Sequence, residues 1–235
     1  MGRAFEFRRG RKEKRWDWMS KTFTKYGKEI SIAVKNGGPD PETNPRLRSL
    51  IQNAKTDNMP KDRIEAAIKR ASAKDEKEYE EVVYEGYGPY GVAILVETAT
   101  DNSTRTVANV RMYFTRGGGT LGKTGSLDFI FTRKGVFKFD ANGYDKEELE
   151  LELIDYGLEE IIEEEGEITV HSAFSEFAHM QKFLEEKGIH VKSATLQRIP
   201  NTTVELNHEQ EDEIMNLIEK FEQDDDVTAV YHNVG

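Results

Sequence analysis

Residues Gly117–Thr124 read GGGTLGKT, which satisfies every fixed position of the phosphate-loop pattern G-x-x-x-x-G-K-[ST]. How this stretch is read decides the fold. A nucleotide-cradling loop needs a strand feeding it and a helix leaving it, so that backbone N–H groups and the helix N-terminus face the phosphates. The flanks predict the reverse. Asp101–Thr104 can cap a helix running to about Arg116, with Val107, Val110, Arg111 and Phe114 on related faces. Ser126–Asp140 (SLDFIFTRKGVFKFD) alternates and is aromatic, which predicts one or two strands around Lys134-Gly135. The three glycines then close a helix, a position that rewards tolerance of positive φ. No aspartate ends an apolar strand downstream to hold a magnesium ion. A phosphate-loop enzyme is therefore a distant third reading. The loop keeps at most Arg116, Lys123 and Thr124 as contacts to a nucleic-acid phosphate.

Outward from this loop the charge is uneven. The 235 residues carry a formal net charge of −11. Residues 1–75 hold 19 Lys+Arg against 10 Asp+Glu, a net +9, and residues 76–235 hold 14 against 34, a net −20. A basic head on an acidic body points to a polyanion as the head's partner. No run of about 18 apolar residues exists to span a membrane. The basic N-terminus lacks an apolar core of the secretory kind. Cysteine is absent, which removes disulfides and thiolate chemistry and fits the cytoplasm.

The head predicts helices. Residues 1–11 show no helical period and are read as an irregular basic arm. From Lys12 to about Lys35, Trp16, Met19, Phe23, Tyr26, Ile30 and Ala33 recur at steps of 3 and 4, one helical face. Lys14, Lys21, Lys25, Lys28 and Lys35 fall on the opposite face, giving a cationic strip. Asn36-Gly37-Gly38-Pro39 stops this helix. Asn44-Pro45 opens a second to about Asp57, and Pro60 opens a third with Ile64, Ala67, Ile68 and Ala71 inward. The polar stretch Ala73–Glu81 reads as a hinge.

The body alternates strands and helices, in the manner of small α/β sandwiches. Strands are expected at Glu81–Glu85, Gly91–Glu97, Ile168–Ala173, His190–Arg198 and Val227–Asn233. Helices are expected over 144–157, Phe174–Lys187 and Asn207–Gln223. Two units follow, roughly 80–138 and 139–203, and the last helix and strand fit either.

Catalytic signals are thin. The five histidines form no HExxH pair, and no G-x-S-x-G elbow is present. Glu163-Glu164-Glu165 and Asp224-Asp225-Asp226 read as solvated loop charge rather than cation sites. No cofactor and no metal are expected. The residues expected to touch nucleic acid are Arg8, Arg9, Arg11, Lys12, Lys14, Arg15, Lys21, Lys25 and Lys28, through phosphates, with Trp18 as a stacking residue off the apolar face. Trp16 lies on that face and is expected to pack. The long, proline-bearing links between helices argue against major-groove readout by a helix-turn-helix.

Three stretches together resemble the YebC family of probable transcriptional regulators and mitochondrial translational activators. They are GGPDPETNPRLRSLIQNAKTDNMPKDRIEAAIKRA (Gly37–Ala71), YEGYGPYGVAILVETATDNSTRTVANVRMYFTRGGGTLGKTGSLDFIFTRKGVF (Tyr84–Phe137) and VELNHEQEDEIMNLIEKFEQDDDVTAVYHNVG (Val204–Gly235). The resemblance implies an α+β multidomain protein. A three-helix N-terminal domain (1–75) would precede two small α/β sandwich domains, the last (139–203) inserted in the middle one (80–138 plus 204–235). It implies no enzyme activity. It implies binding to DNA, or to mRNA and rRNA on the ribosome, with ribosomal or transcription-machinery proteins as further partners and no membrane. The chain departs from the family at its start. Gly2-Arg3-Ala4-Phe5 replaces a G-H-S-K-W type opening, so no role of that histidine carries over.

Overall fold

The structure is a computed structural model and describes residues 3–73 and 78–235, with side chains of the first helix described from Trp18 onward. The expected hinge lies partly outside these residues. Its end is not hinge at all, because Glu80 already begins a strand.

Helix α1 runs Arg3–Gly37. The stretch read as an irregular arm is thus helical from Arg3. Lack of an apolar period removes a packing face but not helix propensity, and between Arg3 and Lys12 only Gly10 opposes a helix. The end of α1 is as expected: Gly38 takes φ +86 and its N–H donates to Val34 O at 2.8 Å. Asn44 then caps α2 (Pro45–Thr56) by accepting from Leu47 N at 3.1 Å. Its side-chain amide also donates to Ala33 O and Gly38 O, tying the start of α2 to the end of α1. Helix α3 is Lys61–Ala71. Phe23, Ile30, Ala33, Leu47, Ala54, Ile64 and Ala67 form the core of this head, with Met19 and Tyr26 packed against it.

Two antiparallel four-stranded sheets follow. The first has the order β3-β1-β2-β8, with β1 Glu80–Tyr87, β2 Ala93–Thr100, β3 Thr120–Leu121 and β8 Val227–His232. Helices α4 (Ser103–Arg116) and α7 (His208–Glu222) cover one face, meeting through Phe114 and Phe221, whose ring centroids are 4.8 Å apart. The C-terminal strand therefore returns to pair with β2, Ile94 opposite His232.

The second sheet has the order β5-β6-β4-β7, with β4 Phe131–Asp140, β5 Leu158–Glu164, β6 Glu167–Ala173 and β7 Val191–Pro200. Helices α5 (Lys146–Leu153) and α6 (Phe177–Glu186) pack on it over Phe137, Phe139, Ile168 and Val170. A boundary at residue 138 would cut β4. This single ten-residue strand pairs with β6 and β7 and belongs to the second sheet. Strand β5 is not among the expected strands, because its sequence LEEIIEE looks like helix tail. It is an edge strand that buries Ile161 and leaves its glutamates toward water, the charge pattern edges tolerate.

Candidate nucleic-acid interface

Helix α1 presents two faces, and both are used. Its apolar face packs on α2 and α3. Its lysine face does not lie open along its length. Lys25 Nζ donates to Glu222 O at 3.1 Å, and Lys28 Nζ donates to Asp225 O and to Asp226 Oδ1, each at 2.7 Å. Burial pushes the Lys25 ammonium below its ordinary value, while Glu222 and Glu29 pull the other way. Lys28 is buried. The middle of the expected cationic strip is therefore docked on the turn between α7 and β8. Lys25 and Lys28 are corrected from free phosphate contacts to contacts between the head and the first sheet. Sequence periodicity shows that a face is charged, but not that an acidic turn some 200 residues away meets it.

That turn is Asp224-Asp225-Asp226, and it is not the solvated charge the sequence predicts. Asp226 is buried. Besides Lys28, it accepts from Arg105 Nη2 at 2.7 Å, Arg105 Nε at 3.2 Å and Thr106 Oγ1 at 2.9 Å. Burial alone would raise its pKa. The hydrogen bonds from Lys28, Arg105 and Thr106 outweigh burial and hold the carboxyl down to about 2. Asp224 accepts from Asn109 Nδ2 at 3.0 Å, from Tyr113 Oη at 3.1 Å and from the Asp226 N–H at 2.9 Å. The acidic run joins α1, α4 and β8.

The open part of the head lies elsewhere. Trp18 is 55% exposed and Lys21 partly exposed. Between α1 and α3 runs a groove of about 360 Å³ lined by Ser20, Thr24, Gly27, Arg63 and Arg70. Arg63 sits over the Phe23 ring at 5.8 Å from its centroid, and both arginines are exposed. Sequence reasoning did not single out this pair. Their spacing of seven residues, two helical turns, puts them on one face of α3 and was the available signal. The side chains of Arg8, Arg9, Arg11, Lys12, Lys14 and Arg15 lie outside the described residues; their backbone extends α1 beyond Trp18.

The glycine loop is a helix terminus. Gly118 takes φ +74 and the Gly119 N–H donates to Phe114 O at 2.8 Å, which closes α4. Just past the loop, a side chain of the protein itself takes two backbone amides. The buried Glu85 carboxylate accepts from Gly125 N at 2.8 Å and from Leu127 N at 2.7 Å. Turn follows through Ile130, and β4 begins at Phe131 rather than Ser126.

A cavity of about 720 Å³ sits where the head meets both sheets. Arg46 pairs with Glu81, and Arg198 pairs with Glu97 at 3.1 Å. Glu29 lines the same space, and among the described residues no side chain hydrogen-bonds to it. Burial, reinforced by Glu81 and Glu97 and opposed by Arg46 and Lys25, raises its carboxyl to about 7. No group of described residues has the makings of a metal site.

Two family models match this arrangement along its length. The TACO1/YebC protein N-terminal domain matches residues 3–74, and the TACO1/YebC second and third domain matches residues 79–234. The chain belongs to the TACO1/YebC family. A probable transcriptional regulatory protein of Cytophaga hutchinsonii is 64% identical over 235 residues, covering all of this chain and 99% of that one. One of the same description from Porphyromonas gingivalis is 57% identical, covering all of this chain and 97% of its own. A crystal structure of a conserved hypothetical protein from Aquifex aeolicus superposes with a TM-score of 0.81 at 37% identity, covering 92% of this chain and 90% of that one. The α+β architecture is thus the TACO1/YebC fold. Among the described residues no helix is long and apolar enough to cross a membrane.

Proposed function

We propose that this chain is a non-enzymatic, cytoplasmic regulator of gene expression that binds nucleic acid through its helical head. The observation that carries the proposal is the segregation of charge: a head of net +9 on a body of net −20. The division that goes with it is a head over 1–75, a first-sheet unit built from both ends of the body, and a second-sheet unit inserted between them.

Binding would be led by phosphate contacts. The contact surface combines the N-terminal half of α1, with Arg8, Arg9, Arg11, Lys12, Lys14, Arg15 and Lys21, and the groove beside it, with Arg63 and Arg70. Trp18 is the stacking residue. Lys25 and Lys28 hold the head on the body, so the charge they would add to the surface is spent internally. Such a surface neutralises phosphates, releases counterions and reads little sequence. The names of the relatives favour regulation of transcription. The order of elements about the glycine loop argues against a nucleotide-hydrolysing role, because α4 enters it and strand and turn leave it, so no helix N-terminus follows to face a phosphate.

Sedimentation of tagged protein from cell extract, with sequencing of cross-linked nucleic acid, tests the target. Recovery of promoter duplexes supports transcriptional regulation. Co-sedimentation with ribosomes and cross-links to rRNA or mRNA would replace it with a role in translation.

A further inference from the structure

The turn after the glycine loop, the start of β4 and the residue after β6 carry exposed aromatic and cationic side chains that the head does not explain. Phe129 is 73% exposed and Phe174 is 46% exposed. Arg133 places its guanidinium 4.3 Å from the Phe174 ring centroid and forms no ion pair among the described residues. Burial lowers its pKa, with Glu97 opposing and Arg198 adding to the effect. Lys123, exposed on the same turn, likewise has no ion pair among the described residues. Asn201, at the end of β7, donates to Phe129 O at 3.4 Å and, through its backbone N–H, to Ile130 O at 2.7 Å, which fixes the turn on the sheet.

We propose that Phe129 and the Arg133–Phe174 pair form a stacking platform for unpaired bases of single-stranded RNA, a second contact surface on the body, beside the cavity between head and sheets that Arg133 also lines. The chemistry selects the occupant. A phenyl ring and a guanidinium plane are surfaces on which unpaired bases stack, and every base has such a face. Four residues separate Phe129 from Arg133, so their Cα atoms lie at most about 14 Å apart, within reach of a few nucleotides. Lys123 supplies charge for the phosphates between them. The exposed Asp128 opposes it and leaves Lys123 and Arg133 with a net excess of one positive charge. Phe129 stands on the turn before β4 and Phe174 opens the short 3-10 helix after β6, both exposed, which suits a flexible strand laid across them. This surface deepens the nucleic-acid reading and rests on it.

The experiment is fluorescence anisotropy of the full chain with a single-stranded RNA of about 12 nucleotides, within the usual site size, over a salt series. The Phe129→Ala/Phe174→Ala variant is expected to bind at least about tenfold more weakly, since each stacked base is lost with its platform. Its salt slope should stay that of the wild type, because no phosphate contact is removed. Arg133→Gln keeps the test open if the double variant is poorly folded, and should weaken binding severalfold. Wild-type affinity in both variants, with head variants still weakened, overturns the platform alone. Loss of ribosome co-sedimentation at unchanged RNA affinity would overturn it in favour of a protein contact. Absence of RNA binding by the wild-type chain would overturn the platform and leave the head's reading to duplex DNA, whereas absence of binding to either would overturn both.

Discussion

Lys28 Nζ lies 2.7 Å from Asp226 Oδ1, and both side chains are buried. Nearly 200 residues of chain separate them, yet this pair fixes the helical head on the first sheet. Asp226 keeps Arg105 and Thr106 when Lys28 is lost, so Lys28→Met should cost about 1–3 kcal/mol. Asp226→Ala strands Lys28 as a buried charge and should cost about 3–5 kcal/mol. Urea denaturation of the two single variants and their combination checks this. The double variant should be less destabilised than the sum.

The same carboxylate predicts an acid limb. Its folded pKa of about 2 lies below the unfolded value near 4. The stabilisation is present above pH 4 and is lost as pH falls toward 2. Thermal unfolding between pH 2 and 5 should show a shallower loss for Asp226→Asn than for the wild type, starting from a lower plateau.

Glu29 predicts the opposite trend. Its carboxyl is raised to about 7 in the folded protein, so the folded state holds a proton that the unfolded state has released. The penalty begins above the ordinary glutamate value near 4.5, grows to pH 7 and is constant beyond. Glu29→Gln should match the wild type in melting temperature near pH 4 and exceed it at pH 8. An unchanged difference across that range would remove Glu29 as the titrating group.

Glu85→Ala should destabilise by about 2–4 kcal/mol, because it leaves the N–H groups of Gly125 and Leu127 without an acceptor. Lys123→Ala should leave stability within about 0.5 kcal/mol. Thermal shift with ATP and magnesium should show no stabilisation of the wild-type protein.

These residues mark how far the sequence reaches. The 3-and-4 spacing from Met19 to Ala33, the Asn44 cap and the Gly38 stop are local signals, and each is realised in the helical head. The glycines after Arg116 were legible as a helix end because their flanks are local too. Partnership across long separations was not legible. Lys25 and Lys28 look like open charge until the α7–β8 turn is folded against them, and Asp226 looks solvated for the same reason. Strand β5 was hidden by its glutamates, since only Ile161 points inward strongly enough to mark a buried face. At the site, Trp18 announced its exposure by leaving the apolar stripe, whereas the groove holding Arg63 and Arg70 needed two helices placed side by side.

The central claim is that the head binds nucleic acid through phosphates using its open surface, not its docked lysines. A salt titration of nucleic-acid affinity tests this most directly, comparing wild type with Lys21→Glu/Arg63→Glu/Arg70→Glu. The account predicts weaker binding and a log–log slope reduced by about one for each phosphate contact removed, in a variant that melts as the wild type does. Unchanged affinity and slope in that folded variant would contradict it.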